Sequence, residues 1–261
     1  MPEPMTNTPV VMSISNHDPS GGGGISAAIE TLASLGCHCT PIITKLAARD
    51  TATLKDSQIT DTSLLIQQIR AVLEDITINL FCISDLASIG NVEAVHTILS
   101  DYPDIPVVLH PSISAHDGEH GLDTAIRTLL LPQTDITILN KADALTLAPG
   151  ADTLSACAQE LMEYGCDNIL ITGDNNSNTQ LSNHWFAHRG SSQKYAWERL
   201  PYSYHGAGST LAAALSGYLA HGLSMAESIQ QAQQFTWQAL LKGRRIGMGE
   251  LLPDRMHWCQ K

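Results

Sequence analysis

The chain has 261 residues, 43% apolar but only 5% aromatic, so it has enough hydrophobic material for a large core built mainly from aliphatic side chains. With 14 Lys and Arg against 26 Asp and Glu, the formal charge is -12 and no basic block exists, which excludes a nucleic-acid partner held through phosphate contacts. No apolar run has the length of a membrane span, and residues 1–9 form a polar tail with no signal-peptide core, so no membrane contact and a cytoplasmic location are expected.

Short β-branched runs alternate with amphipathic segments from residue 10 onward. The first strand is predicted over Val10–Ile14 and the first helix over Ile25–Leu35. A strand at Pro41–Thr44, a helix at Leu64–Glu74, a strand at Leu80–Ile83, a helix at Val92–Leu99 and a strand at Val107–Leu109 follow. Next come a helix at Thr124–Leu130, a strand at Ile136–Leu139, a helix at Thr153–Tyr164 and a strand at Ile169–Thr172. Helices at Thr210–His221 and Met225–Lys242 close the series. The stretches 45–59 and 175–200 break the rhythm and read as hairpins or flaps. The strands are apolar on both faces, which predicts a doubly wound α/β domain with a mostly parallel central sheet and helices on both faces, spanning residues 10–261.

Six cysteines lack any CxxC pair and read as reduced core thiols. The histidine pairs His116/His120 and His184/His188 have four-residue spacing but no obvious third ligand, so a metal site is not expected there.

Two glycine-rich turns carry the chemistry. Asp18-Pro19-Ser20-Gly21-Gly22-Gly23-Gly24 links the first strand to the first helix, where open α/β sheets bind ligands. It matches neither a dinucleotide fingerprint nor a Walker loop, and a flexible turn capped by Asp18 explains it equally well on composition. His205-Gly206-Ala207-Gly208-Ser209-Thr210 opens directly into an Ala- and Leu-rich helix, which suits an anion held on backbone N–H groups. Ser209 also reads as a helix cap, since serine is a favoured residue there.

These two turns, with Ile42-Ile43-Thr44-Lys45-Leu46-Ala47-Ala48-Arg49-Asp50-Thr51 between them, resemble the hydroxymethylpyrimidine/phosphomethylpyrimidine kinases of thiamin biosynthesis, members of the ribokinase-like superfamily. That family reads DPSGGAGI, ITALxAQNT, VLDP, PNxxEA, KGG and HGTGCT in the same order along its length. The resemblance implies ATP-dependent phosphorylation of a small-molecule hydroxymethyl group with Mg2+, usually by a homodimer. It places Asp18, Gly23, Arg49 and Asp85 at the substrate, and Asn140, Asp143, Thr172 and Thr210 at the nucleotide phosphates. Asp143 is the implied metal ligand, and Gly206, Ala207, Gly208 and Ser209 form the anion hole with Ser209 at the catalytic position.

The departures from the family pattern fall at the same places. Arg49 stands for its Gln, Asp85 for a pocket Met, His110 for the Asp of VLDP, Thr172 for the Lys of KGG and Ser209 for Cys. On the first helix, Ala28 and Glu30 replace an aspartate and a lysine. A serine hydroxyl is a poor general base beside a thiolate, and losing a base costs about 10²- to 10⁴-fold in rate. Three readings therefore stay open: a pyrimidine kinase, a binding or regulatory protein that keeps the anion hole, and a kinase with shifted specificity for a vitamin B6-like substrate.

Overall fold

The structure is a computed structural model that describes residues 8–113, 120–175, 179–188 and 190–259. Most of the expected N-terminal tail, and His116, lie outside the described residues.

The alternation along the chain becomes a nine-stranded sheet in the order β3-β2-β1-β4-β5-β6-β7-β8-β9. The parallel centre is β2 (His38–Arg49), β1 (Val10–His17), β4 (Leu80–Ile83), β5 (Val107–Leu109), β6 (Ile136–Asn140) and β7 (Asn168–Asn175). β3 (Leu54–Ile59) adds antiparallel at one edge, and β8 (Gln180–Ala187) with β9 (Ser192–Glu198) extends the other. The two stretches that break the rhythm are thus the hairpins at the sheet edges. An edge strand needs no second buried face, and all six residues of β3 are exposed.

Period-2 alternation divides the core into two layers. Met12, Ile14, Phe81, Ile83 and Leu109 face one side, packed under α2 (Thr62–Leu73), α3 (Ile89–Asp101) and α6 (Leu154–Glu163). Val11, Leu80, Cys82, Val108 and Ile138 face the other, under α1 (Gly24–Ser34), α7 (Ala207–Ala220) and α8 (Met225–Leu241). α7 lies against α1, α8 and the sheet, which explains its small residues: a Cβ on Gly217 would sit 2.9 Å from Leu35 Cδ1. Among the described cysteines, Cys37, Cys82, Cys157 and Cys166 are buried thiols, Cys39 is half-buried and Cys259 is exposed.

Three elements differ from the sequence reading. The strand expected at Pro41–Thr44 runs from His38 to Arg49 because its second half pairs with β3. The helix expected at Thr124–Leu130 is one α-turn, α4 (Leu122–Ala125), that widens into a π-turn over Ile126–Leu130 and a 3₁₀ turn over Leu131–Gln133. Pro132 has no N–H to continue the helical ladder there. A short α5 (Lys141–Leu147), absent from the sequence reading, starts where Asn140 Oδ1 accepts from the Asp143 N–H at 2.8 Å.

Strand order reverses between β1 and β4, because β2 lies on one side of β1 and every later parallel strand on the other. The crevice beyond the carboxyl ends of such strands is where an open α/β sheet receives ligands.

Candidate active site

At the end of β1 the chain turns on Asp18, a carboxylate only 1% exposed. Its Oδ1 accepts from the Ser20 N–H at 2.9 Å and the Ser20 hydroxyl at 2.7 Å, and its Oδ2 from the Gly23 N–H at 2.8 Å. Burial alone would raise the Asp18 pKa, but hydrogen bonds from His205 and Ser20 outweigh it and hold the carboxyl well below the usual range. Gly24, which opens α1, has φ +54, and a Cβ there would sit 2.2 Å from Asn16 O. Only glycine fits that approach.

The second glycine turn arrives from the far end of the chain and docks on the first. His205 Nε2 lies 2.5 Å from Asp18 Oδ2. Gly206 adopts φ +92, and a Cβ on it would fall 1.6 Å from Gly22 O, so backbone meets backbone. Gly206 is the N-cap of α7, with no side chain capping the helix. The first helical bond runs from Thr210 N to Gly206 O, which leaves the N–H groups of Ala207, Gly208 and Ser209 without acceptors inside the helix.

The capping role weighed for Ser209 is therefore not what the fold uses. Ser209 lies within the first turn, and its Oγ accepts from the Gly24 N–H at 3.3 Å, joining the two loops. Thr210 also departs from expectation: it is fully buried and its hydroxyl donates to Gly206 O at 2.8 Å. Behind it sits Arg255, 2% exposed, which the sequence reading missed. Its Nε donates to Thr210 Oγ1 at 3.0 Å, its Nη1 to Gly21 O at 3.1 Å and Glu30 Oε2 at 2.8 Å, and its Nη2 to Gly22 O.

Both loops open on one cavity of about 510 Å³ at the strand ends. Its wall brings together Asp18, Gly23, Arg49 and Asp85 from the first half of the chain, and Asn140, Asp143, Thr172 and Gly206–Ser209 from the second. Every predicted site residue except Thr210 is on this wall. Asn140 and Asp143 are mutually bonded, with Asn140 Nδ2 donating to Asp143 Oδ2 at 2.8 Å. The Thr172 hydroxyl donates to Leu139 O at 3.2 Å, so as placed it offers the cavity lone pairs rather than a proton. A second cavity of about 390 Å³, between α6 and the β8–β9 hairpin, contains none of these residues.

Charge in the site is arranged in pairs. Arg49 Nε lies 3.8 Å from Asp18 Oδ1. Asp85 Oδ2 is 2.8 Å from Lys45 Nζ, and both residues are buried. By the resemblance, Lys45 stands where ITALxAQNT has Ala, and Asp85 where the family has a Met. Two changes that look unrelated along the chain thus form one ion pair. His110 lies against α7, where a Cβ on Gly208 would sit 2.5 Å from His110 Nε2. Burial pushes its pKa down to about 4, so the imidazole is neutral near pH 7, and its Nδ1 has no hydrogen-bond partner among the described residues.

Of the histidine pairs, His184 lies beside Asp174 with Nε2 3.4 Å from Oδ2, and His120 lies in the turn before α4. Among the described residues, no three His, Cys, Asp or Glu side chains cluster in a way that would hold a metal. No helix among them is long and apolar enough to cross a membrane.

Comparison with known proteins gives this geometry a family. Residues 18–254 match the phosphomethylpyrimidine kinase family. The chain belongs to that family. It is 30% identical over 249 residues to the hydroxymethylpyrimidine/phosphomethylpyrimidine kinase of Salmonella typhimurium, covering 92% of this chain and 93% of that protein. It is 25% identical to a probable thiamine biosynthetic bifunctional enzyme of Oryza sativa, where 92% of this chain spans 46% of the longer protein. Its fold superposes on the pyridoxal kinase of Staphylococcus aureus with a TM-score of 0.89, over 98% of this chain and 96% of that one at 20% identity. That likeness concerns the fold. The family match includes both glycine turns and ends one residue before Arg255.

Proposed function

We propose that this family member transfers the γ-phosphoryl group of ATP to the hydroxymethyl group of an aminopyrimidine, or to its monophosphate, in thiamin biosynthesis. One observation carries the reading: turns some 190 residues apart close on a single cavity lined by Ala207, Gly208 and Ser209 of the first turn of α7. Such an N-terminus favours negative charge, and phosphoryl transfer depends mainly on positioning and electrostatics.

In this mechanism the backbone of Gly206–Ser209 receives the charge that develops on the transferring group. Arg49, on the cavity wall beside Asp18, orients the heterocycle. Asp18 is already filled by donors, so it acts mainly by fixing the loop. The Ser209 hydroxyl orients the attacking oxygen while Gly24 N–H occupies one of its lone pairs. His110 stays neutral beside the anion hole and leaves the phosphates without a competing negative charge.

Mg2+ fits the donor set through Asp143. This ion takes oxygen ligands, commonly one or two carboxylates with substrate phosphates and water, and Asp143 supplies one carboxylate steadied by Asn140. When bound, the ion neutralises phosphate charge. The reading includes a homodimer, as the family resemblance implies, and the cytoplasmic location expected from the sequence.

ADP release coupled to a fluorescent readout, with hydroxymethylpyrimidine as acceptor, tests the reading. Turnover is expected to depend on the acceptor and to be lost in Gly208→Asp, which places a carboxylate in the anion hole. Equal rates in parent and variant would reject it, and ligand binding without turnover would favour a regulatory role.

A further inference from the structure

Arg255 sits outside every motif that marks the site, in the segment after α8. Its backbone is fixed on two sides: the Ser34 hydroxyl donates to Arg255 O at 2.8 Å, and Asp254 N donates to Ala239 O at 2.9 Å. From there the guanidinium enters the junction of the two glycine turns. It holds two consecutive carbonyls of the first turn and the Thr210 hydroxyl of the second.

We infer that Arg255 is a positioning residue for phosphoryl transfer, whose planar fork sets the spacing of the two glycine turns and places a permanent positive charge behind the anion hole.

Three features support this. Gly206 and Gly22 approach so closely that no side chain fits between them, and the guanidinium bonds the Gly22 carbonyl at that contact. A Cβ on Gly206 would lie 2.9 Å from Arg255 Nη2, so the charge stands directly behind the turn that opens α7. It adds to the positive end of the helix from a side chain that is itself buried, where electrostatic effects are larger than in water. By the resemblance, Thr172 stands where the KGG turn has a lysine, and Arg255 supplies a buried cation behind the glycine turns. A lysine at 255 keeps the charge but lacks the fork that reaches several acceptors at once. Glu30, the remaining partner at 2.8 Å, is half exposed and anchors the guanidinium from the solvent side.

The inference rests on the kinase reading above, and the test separates the two. Calorimetry with inorganic tripolyphosphate, together with kcat and KM for ATP and hydroxymethylpyrimidine, would be measured for the parent, Arg255→Lys and Arg255→Met below their unfolding temperatures. Both variants are expected to lose about tenfold or more in tripolyphosphate affinity and kcat, with KM for the pyrimidine changing less than about threefold. Guanidinium chloride at low millimolar concentration should partly restore Arg255→Met. A folded variant with tripolyphosphate affinity and kcat within about twofold of the parent overturns the inference and leaves the kinase reading intact. If Arg255→Met does not fold, Arg255→Lys decides by the same criterion. A parent that binds neither tripolyphosphate nor ATP overturns the kinase reading and this inference together.

Discussion

Asp18 Oδ2 and His205 Nε2 lie 2.5 Å apart although 187 residues separate them, and this contact joins the two glycine turns of the site. Both Asp18 oxygens accept backbone N–H groups, so an amide at this position would turn a donor toward a donor. Asp18→Asn is expected to cost about 2–4 kcal/mol in urea unfolding at pH 7, because it breaks a buried, charge-assisted network. A loss under about 0.5 kcal/mol would show that the network contributes little.

Acid should weaken the fold in two separate windows. The His110 pKa falls from 6.5 to about 4 on folding, so the unfolded chain takes up a proton first. That contribution is present above pH 6.5 and is lost as pH falls toward 4. The Asp18 carboxyl is lowered from 3.8, so its contribution is complete above that value and is lost as pH falls below it. Urea midpoints across pH 2 to 7 should show His110→Asn flattening the upper window alone and Asp18→Asn the lower alone. Identical profiles for the parent and both variants would refute the assignment.

Two glycines with similar positive φ should respond very differently to a methyl group. Gly206 has φ +92 with Gly22 O 1.6 Å from a built Cβ, whereas Gly222 has φ +86 with nothing within 4 Å. Gly222→Ala should cost about 1–2 kcal/mol of backbone strain and leave tripolyphosphate binding unchanged. Gly206→Ala adds a backbone collision and should abolish that binding. Calorimetry showing equal affinities would mean the turns can separate without consequence.

The Lys45–Asp85 pair allows a double-mutant test. Lys45→Met or Asp85→Leu alone removes one member of a buried ion pair and should cost about 3–5 kcal/mol, while the double variant should cost clearly less than the sum. Additive losses in chemical denaturation would show that the two charges do not interact.

The layers of the fold were legible because buried strands and helices imprint their periods on the sequence, as Val107–Leu109 and Ile136–Leu139 do. The glycine turn that opens α7 was legible for a similar reason, since a turn of this kind running into a helix is a local pattern. Arg255 and Lys45 were not. Their meaning depends on partners brought near only by folding: Arg255 contacts Gly21 across 234 residues, and Lys45 meets Asp85 across a strand boundary. The burial of Thr210 was not legible either, because proximity to the cradle in sequence does not show which way a helical side chain points. The turn of α7 directs it inward toward Arg255.

The most direct test of the account is 31P NMR of the purified full chain incubated with ATP, Mg2+ and hydroxymethylpyrimidine. A phosphomonoester resonance of phosphorylated hydroxymethylpyrimidine should grow as ATP declines, be absent in Gly208→Asp and strengthen in Ser209→Cys, where a thiol at a helix N-terminus supplies a better base. ATP that stays intact through prolonged incubation, with no new phosphomonoester in the parent or in Ser209→Cys, would contradict it.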